Sequence, residues 1–399
     1  MSVRKLKPVE YIDFCEICQI VFFGVERADI REMKKNPKKH AKKSSNVQLG
    51  FFDEKGKLQS ALQIIPYTMR VNNHDVKMGG VGAVMTRPES RGLGQMNSLM
   101  QAAFLEMKKN SQVFSFLYPF SFRYYRKFGY ETCYEYNKIK IPVSQMYEYK
   151  QAVTVIPFEP NDSHEPYAEI YKKFIREQNF PIIRDEKAWQ DILNRDPYLD
   201  LQFTYLLKDE NGNDAAYILY SAEQDDDDGN RLIIKECCWK TPKDLHLVFA
   251  FLSKLGAEYE YAHWNAPSCL NIFALFPEGF ELEWTRETTG MNRIVNVCAA
   301  LETLHAPKNN SRVAIFVTDK FLPENSGSYV VEWENNILSA QKKDAPPDIE
   351  TTVETLAQLV SGYITPETAA LKKDTIIHGS LENLIALFPK KHLFITERY

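Results

Sequence analysis

Between Gly82 and Met100 the sequence GAVMTRPESRGLGQMNSLM passes from an apolar run, through Pro88 and a glycine-spaced turn, into helical spacing. This stretch constrains the fold more than any other. A strand that feeds a helix through such a bend leaves the first helical N–H groups without intrahelical partners, at the positive end of the helix dipole. Glycines at the bend let an anion approach that backbone closely, so the stretch reads as a phosphate-binding turn. The strand is expected over 76–86 and the helix from Gln95 to Lys109. Met96, Leu99, Met100, Ala103, Phe104 and Met107 would share one helix face. Gly79, Gly80 and Gly82 leave little side chain on the strand, so a ligand or a neighbouring backbone can lie close.

With 399 residues the chain is too long for one ordinary core, and two or three domains are expected. No apolar run approaches the ~20 residues that cross a bilayer, and MSVRKLKPVEYIDF lacks the apolar stretch of a signal peptide. A cytoplasmic protein without a membrane partner is therefore expected. The net charge of −4 gives no general drive toward nucleic acid. Seven Lys and Arg between Arg31 and Lys43 read as a solvated loop, and Asp225 to Asp228 as a hairpin tip lacking the ligand spacing of a calcium loop. The seven cysteines are scattered and odd in number, which suits reduced thiols. Cys15-x-x-Cys18 sits among apolar residues at helical spacing with no second pair nearby, so it reads as core packing. The eight histidines form no ligand pair, and no metal is assigned.

The remaining pattern is mixed. A helix is expected over Val9–Phe23, strands over 46–52 and 61–71, a short strand over 113–120 ended by Pro119, and a two-turn helix over 121–129 stopped by Gly129. From Pro142 a similar order recurs, with helices at 168–178, 186–193 and 244–259, but without the glycine-spaced Arg turn. No second phosphate site is expected there. MNRIVNVCAALETL opens a third segment as a strand running into a helix. Helices follow at 350–364, 365–373 and 380–389, and KKHLFITERY closes as a strand-like run.

Arg91-Gly92-Leu93-Gly94-Gln95-Met96 nearly fits R-x-x-G-x-G/A, and FSFLYPFSFRYYRKFGY carries a Y-x-x-x-G-F/Y ending. Both resemble the GNAT N-acetyltransferases, whose cofactor is acetyl-CoA. Met96 stands where that family usually has Gly or Ala. The Eis (enhanced intracellular survival) group also carries a bulky apolar residue there, and its length and MNRIVNV-like entry to the last segment are similar. Asp319 and Asn325 in VTDKFLPENSGSYVV resemble the opening of that group's sterol-carrier-like domain.

The resemblance implies an α+β fold: tandem GNAT-type acyltransferase domains with mixed central sheets flanked by helices, and a C-terminal sterol-carrier-protein-like α/β domain. The expected bounds are 1–145 for the catalytic domain, 146–287 for a degenerate second one and 288–399 for the last. Pantetheine would pair with Val84, Met85 and Thr86. The pyrophosphate would sit on the backbone of Gly92, Leu93, Gly94, Gln95, Met96 and Asn97 beside Arg91, and Phe120 and Ser121 would line the reactive end. Tyr125 aligns with the family's general acid, Tyr130 reads as core, and the α-carboxylate of Tyr399 would be the base. The acceptor would be a small-molecule amine of the aminoglycoside, polyamine or lysine class, and the assembly a homo-oligomer, a trimer or hexamer. The alternative is a non-catalytic regulatory protein that binds acetyl-CoA or a lipid on the same fold.

Overall fold

The computed structural model describes residues 1–22, 28–41, 45–225 and 229–397. Phe23, Lys42, Lys43, Asp226 to Asp228 and Tyr399 lie outside the described residues. The chain divides into two compact units, one of residues 1–133, 289–390 and 397–399, the other of 134–288 and 391–396.

In the first unit β1 (Ser2–Lys5), β2 (Val47–Phe52), β3 (Leu58–Val71), β4 (His74–Thr86) and β5 (Phe114–Leu117) lie side by side in that order. All pairs are antiparallel except β4–β5. Asn72 and Asn73, both at positive φ, form the two-residue turn between β3 and β4, as the twist of a hairpin favours. Four helices accompany these strands: α1 (Tyr11–Val21), α2 (Ile30–Lys35), α3 (Gln95–Lys109) and α4 (Phe122–Arg126). Alternation along the strands sends Leu62, Ile64, Val81 and Leu117 to one face. There they meet the six apolar residues spaced along α3. Ala61 and Met85 point the other way, onto Phe14 and Ile17 of α1. Gly79 serves packing: a Cβ there would stand 2.8 Å from Met107 and 3.1 Å from Gln112.

The second unit holds β6 (Glu131–Pro142, from Tyr134 onward), β7 (Thr154–Pro157), β8 (Gln202–Lys208), β9 (Asp214–Asp225), β10 (Gly229–Trp239) and β11 (Tyr261–Pro267). Their order is β6-β11-β10-β9-β8-β7, with β10–β11 the parallel pair. Its helices are α5 (Glu165–Phe174), α6 (Glu186–Leu193) and α7 (Leu245–Leu252). The link from β10 to α7 carries Thr241 and Asp244, and the Asp244 carboxylate accepts the Thr241 N–H. The glycine-spaced Arg turn of the first unit has no counterpart on this link. A buried ion pair, Arg184–Glu236, lies under the rings of Tyr171 and Trp189. Burial alone would raise the Glu236 carboxyl, but Arg184, Tyr217 and Thr396 outweigh it and hold it below its ordinary value.

β12 (Glu283–Ile294) returns the chain to the first unit, where Met291–Ile294 pair antiparallel with β5. After α8 (Val297–Leu301) come β13 (Ser311–Thr318), β14 (Gly327–Glu334), β15 (Ile337–Lys342), β16 (Ile349–Thr352) and β17 (Ile376–Ile377), ordered β15-β14-β13-β16-β17. The helices are α9 (Val353–Ser361), α10 (Pro366–Ala369) and α11 (Leu381–Leu387). The sequence pattern placed residues 350–352 in a helix. They pair instead with β13, and Thr352 caps α9 through the Thr355 N–H. HLFITERY was expected to close as a strand. Its only ladder contact among the described residues is the bridge Asn179–Leu393, because only Asn179 exchanges backbone bonds with it.

Arg293 and Asp319 are both fully buried and 2.5 Å apart. The Asp319 carboxylate also accepts from the Asn325 amide and from the N–H groups of Phe321 and Leu322. Gly129 makes the Arg293 position possible. A Cβ on Gly129 would stand 2.8 Å from the guanidinium carbon, and its φ of +79° suits glycine besides. The glycine of the Y-x-x-x-G-Y sequence is thus a cradle for an arginine more than 160 residues away.

Candidate active site

The turn before α3 is fixed from beneath. The Arg87 guanidinium donates to the Leu58 carbonyl at 2.8 Å and the Ser90 hydroxyl to Gln59 at 2.7 Å. Gly92 and Gly94 follow with φ of +80° and +71°, and a Cβ on either would meet nothing within 4 Å. Gly94 leads directly into α3, whose start has neither a side-chain cap nor an acidic residue in its first turn. The start of α3 is thus left uncapped.

The side chains at the helix start turn inward. Gln95 is buried and accepts a 2.6 Å hydrogen bond from the Ser60 hydroxyl, which also lies 3.0 Å from Thr86 Oγ1. Met96 packs into the core with Leu99 and Met100, which explains how a bulky residue is tolerated there. Arg91, Leu93 and Asn97 are exposed, and Arg91 forms no ion pair among the described residues. The role of the Gln95 side chain escapes a sequence reading because its partner lies 35 residues earlier.

β4 leads to this turn along an open edge. Its parallel ladder with β5 ends at Gly80–Phe116, while Gly82, Met85 and Thr86 still pair with β3 on the other side. Between them Leu62 of β3 faces both Ala83 and Val84, a bulge in which Ala83 takes φ +48°. Val84 and Thr86 are half-buried and Met85 is buried. The backbone of 81–86 therefore has no strand on its β5 side among the described residues, and an extended chain can pair there.

Past β5 the chain runs through Tyr118, Pro119, Phe120 and Ser121. Phe120 is 73% exposed, and Ser121 caps α4 by accepting the Tyr124 N–H. Tyr125 is only 3% exposed, with ring centroids of Phe120, Tyr124, Phe128 and Tyr130 at 5.4, 5.3, 6.4 and 6.2 Å. Burial, then the neighbouring Tyr124, pushes its phenol well above the ordinary value, so it keeps its proton at neutral pH. The Tyr125 hydroxyl bonds no described residue. Tyr130 is core, as expected, with its hydroxyl 2.6 Å from Ser115 Oγ. The described chain ends at Glu397, whose carbonyl accepts a 2.7 Å hydrogen bond from the Tyr118 hydroxyl. Tyr118 carried no signal beyond its place at the end of an apolar strand.

Residues 2–133 match the acetyltransferase (GNAT) domain family, 181–294 match a second acetyltransferase (GNAT) domain family, and 297–395 match the sterol carrier protein domain. The chain is a GNAT N-acetyltransferase built of two acetyltransferase domains and a sterol carrier protein domain. Its fold extends over whole solved structures. A protein of Enterococcus faecalis described as a "Probable N-Acyltransferase" is 19% identical, with 100% of this chain and 99% of that one covered at a TM-score of 0.85. A GCN5-related N-acetyltransferase from Anabaena variabilis is 21% identical, with both chains covered at 100% and a TM-score of 0.84. Eis1 from Mycobacterium abscessus is 16% identical, again with both chains covered at 100%, at 0.79. No curated protein matches the chain by sequence. Among the described residues no group of three or more His, Cys, Asp or Glu is placed to hold a metal, and no helix is long and apolar enough to cross a membrane.

Proposed function

We propose that this N-acetyltransferase moves an acetyl group from acetyl-CoA to a primary amine of a cationic small molecule of the aminoglycoside, polyamine or lysine type. The observation that carries the reading is the open edge at Val84, Met85 and Thr86 followed closely in the chain by the uncapped, glycine-lined start of α3. Pantetheine amides suit the first part and a pyrophosphate the second, with Arg91 beside it and Phe120 and Ser121 toward the thioester. The amine nitrogen attacks the thioester carbonyl, the C–N bond forms as the C–S bond breaks, and Tyr125 gives its proton to the departing thiolate. The α-carboxylate of Tyr399 takes the proton from the amine. The tether of Glu397 by Tyr118 supports that assignment. The same reading assigns catalysis to 1–145, a degenerate repeat to 146–287 and the sterol-carrier-like part to 288–399, in a cytoplasmic trimer or hexamer.

Thiol release from acetyl-CoA, measured with each amine class in turn and the protein's own cysteines subtracted, tests the reaction. Release that depends on one class names the acceptor; binding of acetyl-CoA without release to any would favour the regulatory alternative. Gly94→Val is expected to weaken acetyl-CoA binding by at least about tenfold. A β-branched residue at φ +71° strains the turn, and its side chain enters the space left for phosphate. Calorimetric titration with an unchanged affinity would refute the loop assignment. A short peptide appended after Tyr399 is expected to cut turnover by ~10²-fold or more, as for a lost general base, with acetyl-CoA affinity preserved. Full activity of the extended protein would remove the carboxylate from the mechanism.

A further inference from the structure

Residues 91–94 of the turn between β4 and α3 are exposed, yet a line of polar side chains is buried beneath them: Gln59, Ser60, Arg87, Ser90 and Gln95. Successive residues at the start of β3 hold the turn from below. The Leu58 carbonyl accepts from the Arg87 guanidinium at 2.8 Å, and the Gln59 carbonyl accepts the Arg87 N–H at 2.9 Å. The Gln59 side chain accepts from the Ser90 hydroxyl and donates to Asp53, both at 2.7 Å. These bonds fix where the turn leaves β4. At its far end the tie to the same strand is Ser60, whose hydroxyl lies 2.6 Å from Gln95 Oε1. Ser60 is also the cross-strand partner of Thr86, with their hydroxyl oxygens 3.0 Å apart. A hydroxyl has a single proton and an amide oxygen can only accept, so Ser60 donates to Gln95 and receives the Thr86 proton. One buried oxygen thus joins the last residue of β4 to the first residue of α3.

We infer that Ser60 is a positioning residue for the acyl donor: its bond to Gln95 sets the rotation of the first turn of α3 and so aims the backbone there at the diphosphate. The inference rests on the reading of this turn as the pyrophosphate site. Glycine-lined backbone can take many shapes, and Gly92 and Gly94 bring no side chain to restrict it. A satisfied buried polar network supplies the missing restriction, because each of its bonds has one good geometry. Ser60→Ala leaves the Gln95 oxygen without this donor. It is expected to raise the Kd for acetyl-CoA about five- to tenfold, the size of one buried hydrogen bond. The Kd for S-acetylpantetheine, the same thioester without diphosphate or nucleotide, should stay within about twofold of the parent's. Gln95→Met breaks the same bond from the helix side, at a less deeply buried residue, and should reproduce this donor-selective loss. Combined, the two substitutions should weaken acetyl-CoA binding no more than the more severe of them alone, because both remove one bond.

Calorimetric titration with acetyl-CoA, and its displacement by S-acetylpantetheine, reads both constants without an acceptor amine. If the parent protein binds the two thioesters equally tightly, the turn holds no diphosphate, and the positioning role falls with that reading. If the parent prefers acetyl-CoA and both variants keep its preference unchanged, the positioning role alone is overturned. Equal losses for the two thioesters assign Ser60 a merely structural part and also overturn it. So do losses for acetyl-CoA that multiply in the double variant, since Ser60 and Gln95 would then act separately.

Discussion

Tyr125→Phe is expected to lower turnover by ~10²-fold or more, the usual contribution of a positioned acid, with acetyl-CoA affinity and thermal stability little changed. The expectation follows from what the side chain does and does not touch. Its ring is held by Phe120, Tyr124, Phe128 and Tyr130, contacts that phenylalanine keeps. Its hydroxyl bonds no described residue, so removing it breaks no structural bond. The phenol's proton is retained throughout the neutral range because burial, with Tyr124 beside it, raises its pKa. Tyr125 should therefore contribute no limb to the neutral part of the pH–rate profile. Any loss of rate toward acid belongs to the base or to the acceptor amine as they gain protons. Single-turnover acetyl transfer isolates the chemical step from product release. An unchanged rate would pass the acid's role to Tyr124, which is half-buried and stands 5.3 Å away.

The largest loss of stability is expected from Asp319→Ala. It leaves the Arg293 guanidinium completely buried with no counter-charge, and Nε and Nη1 already lack partners among the described residues. Breaking a buried pair from one side costs about 3–5 kcal/mol, whereas replacing both partners with apolar residues is often neutral or better. Denaturant unfolding of Asp319→Ala and of the double variant Arg293→Met/Asp319→Leu separates these cases. The double variant should recover much of the loss, tempered by the Asn325, Phe321 and Leu322 donors that Asp319 also satisfies. Comparable losses in both would mean that those local donors, and not the charge, are what Asp319 supports.

Elements whose causes are local were legible in the sequence. α3 begins and ends where its apolar spacing placed it, and the glycines at 92 and 94 fall, at positive φ, in the bend that leads into it. Causes that act across the chain were not legible. Nothing in the run VFSFLYPF says that its free edge is met by Met291–Ile294, and nothing near Gly129 names Arg293. Met96 departs from the family's Gly or Ala yet packs on the apolar face its spacing predicted, because a helix start shows its backbone outward while its side chains can turn inward. The apolar residues of the last run suit a strand, but a strand also needs a partner of matching length, and Asn179 alone supplies one bridge.

The pairing of β5 with Met291–Ile294 has a further consequence during synthesis. Roughly 170 residues separate the two strands, and at ~5–20 residues per second a ribosome needs ~10–35 s to supply the second after the first. Through that interval β5 offers bare backbone donors and acceptors to any neighbouring nascent chain. Arg293 arrives with the late strand, so the space beside Gly129 also waits for its occupant. The amino-terminal third of the protein thus lacks a strand of its sheet until then. Its folding is completed by residues translated long after it, and a ribosome that stalls before residue 291 would release an adhesive fragment instead of a small working enzyme.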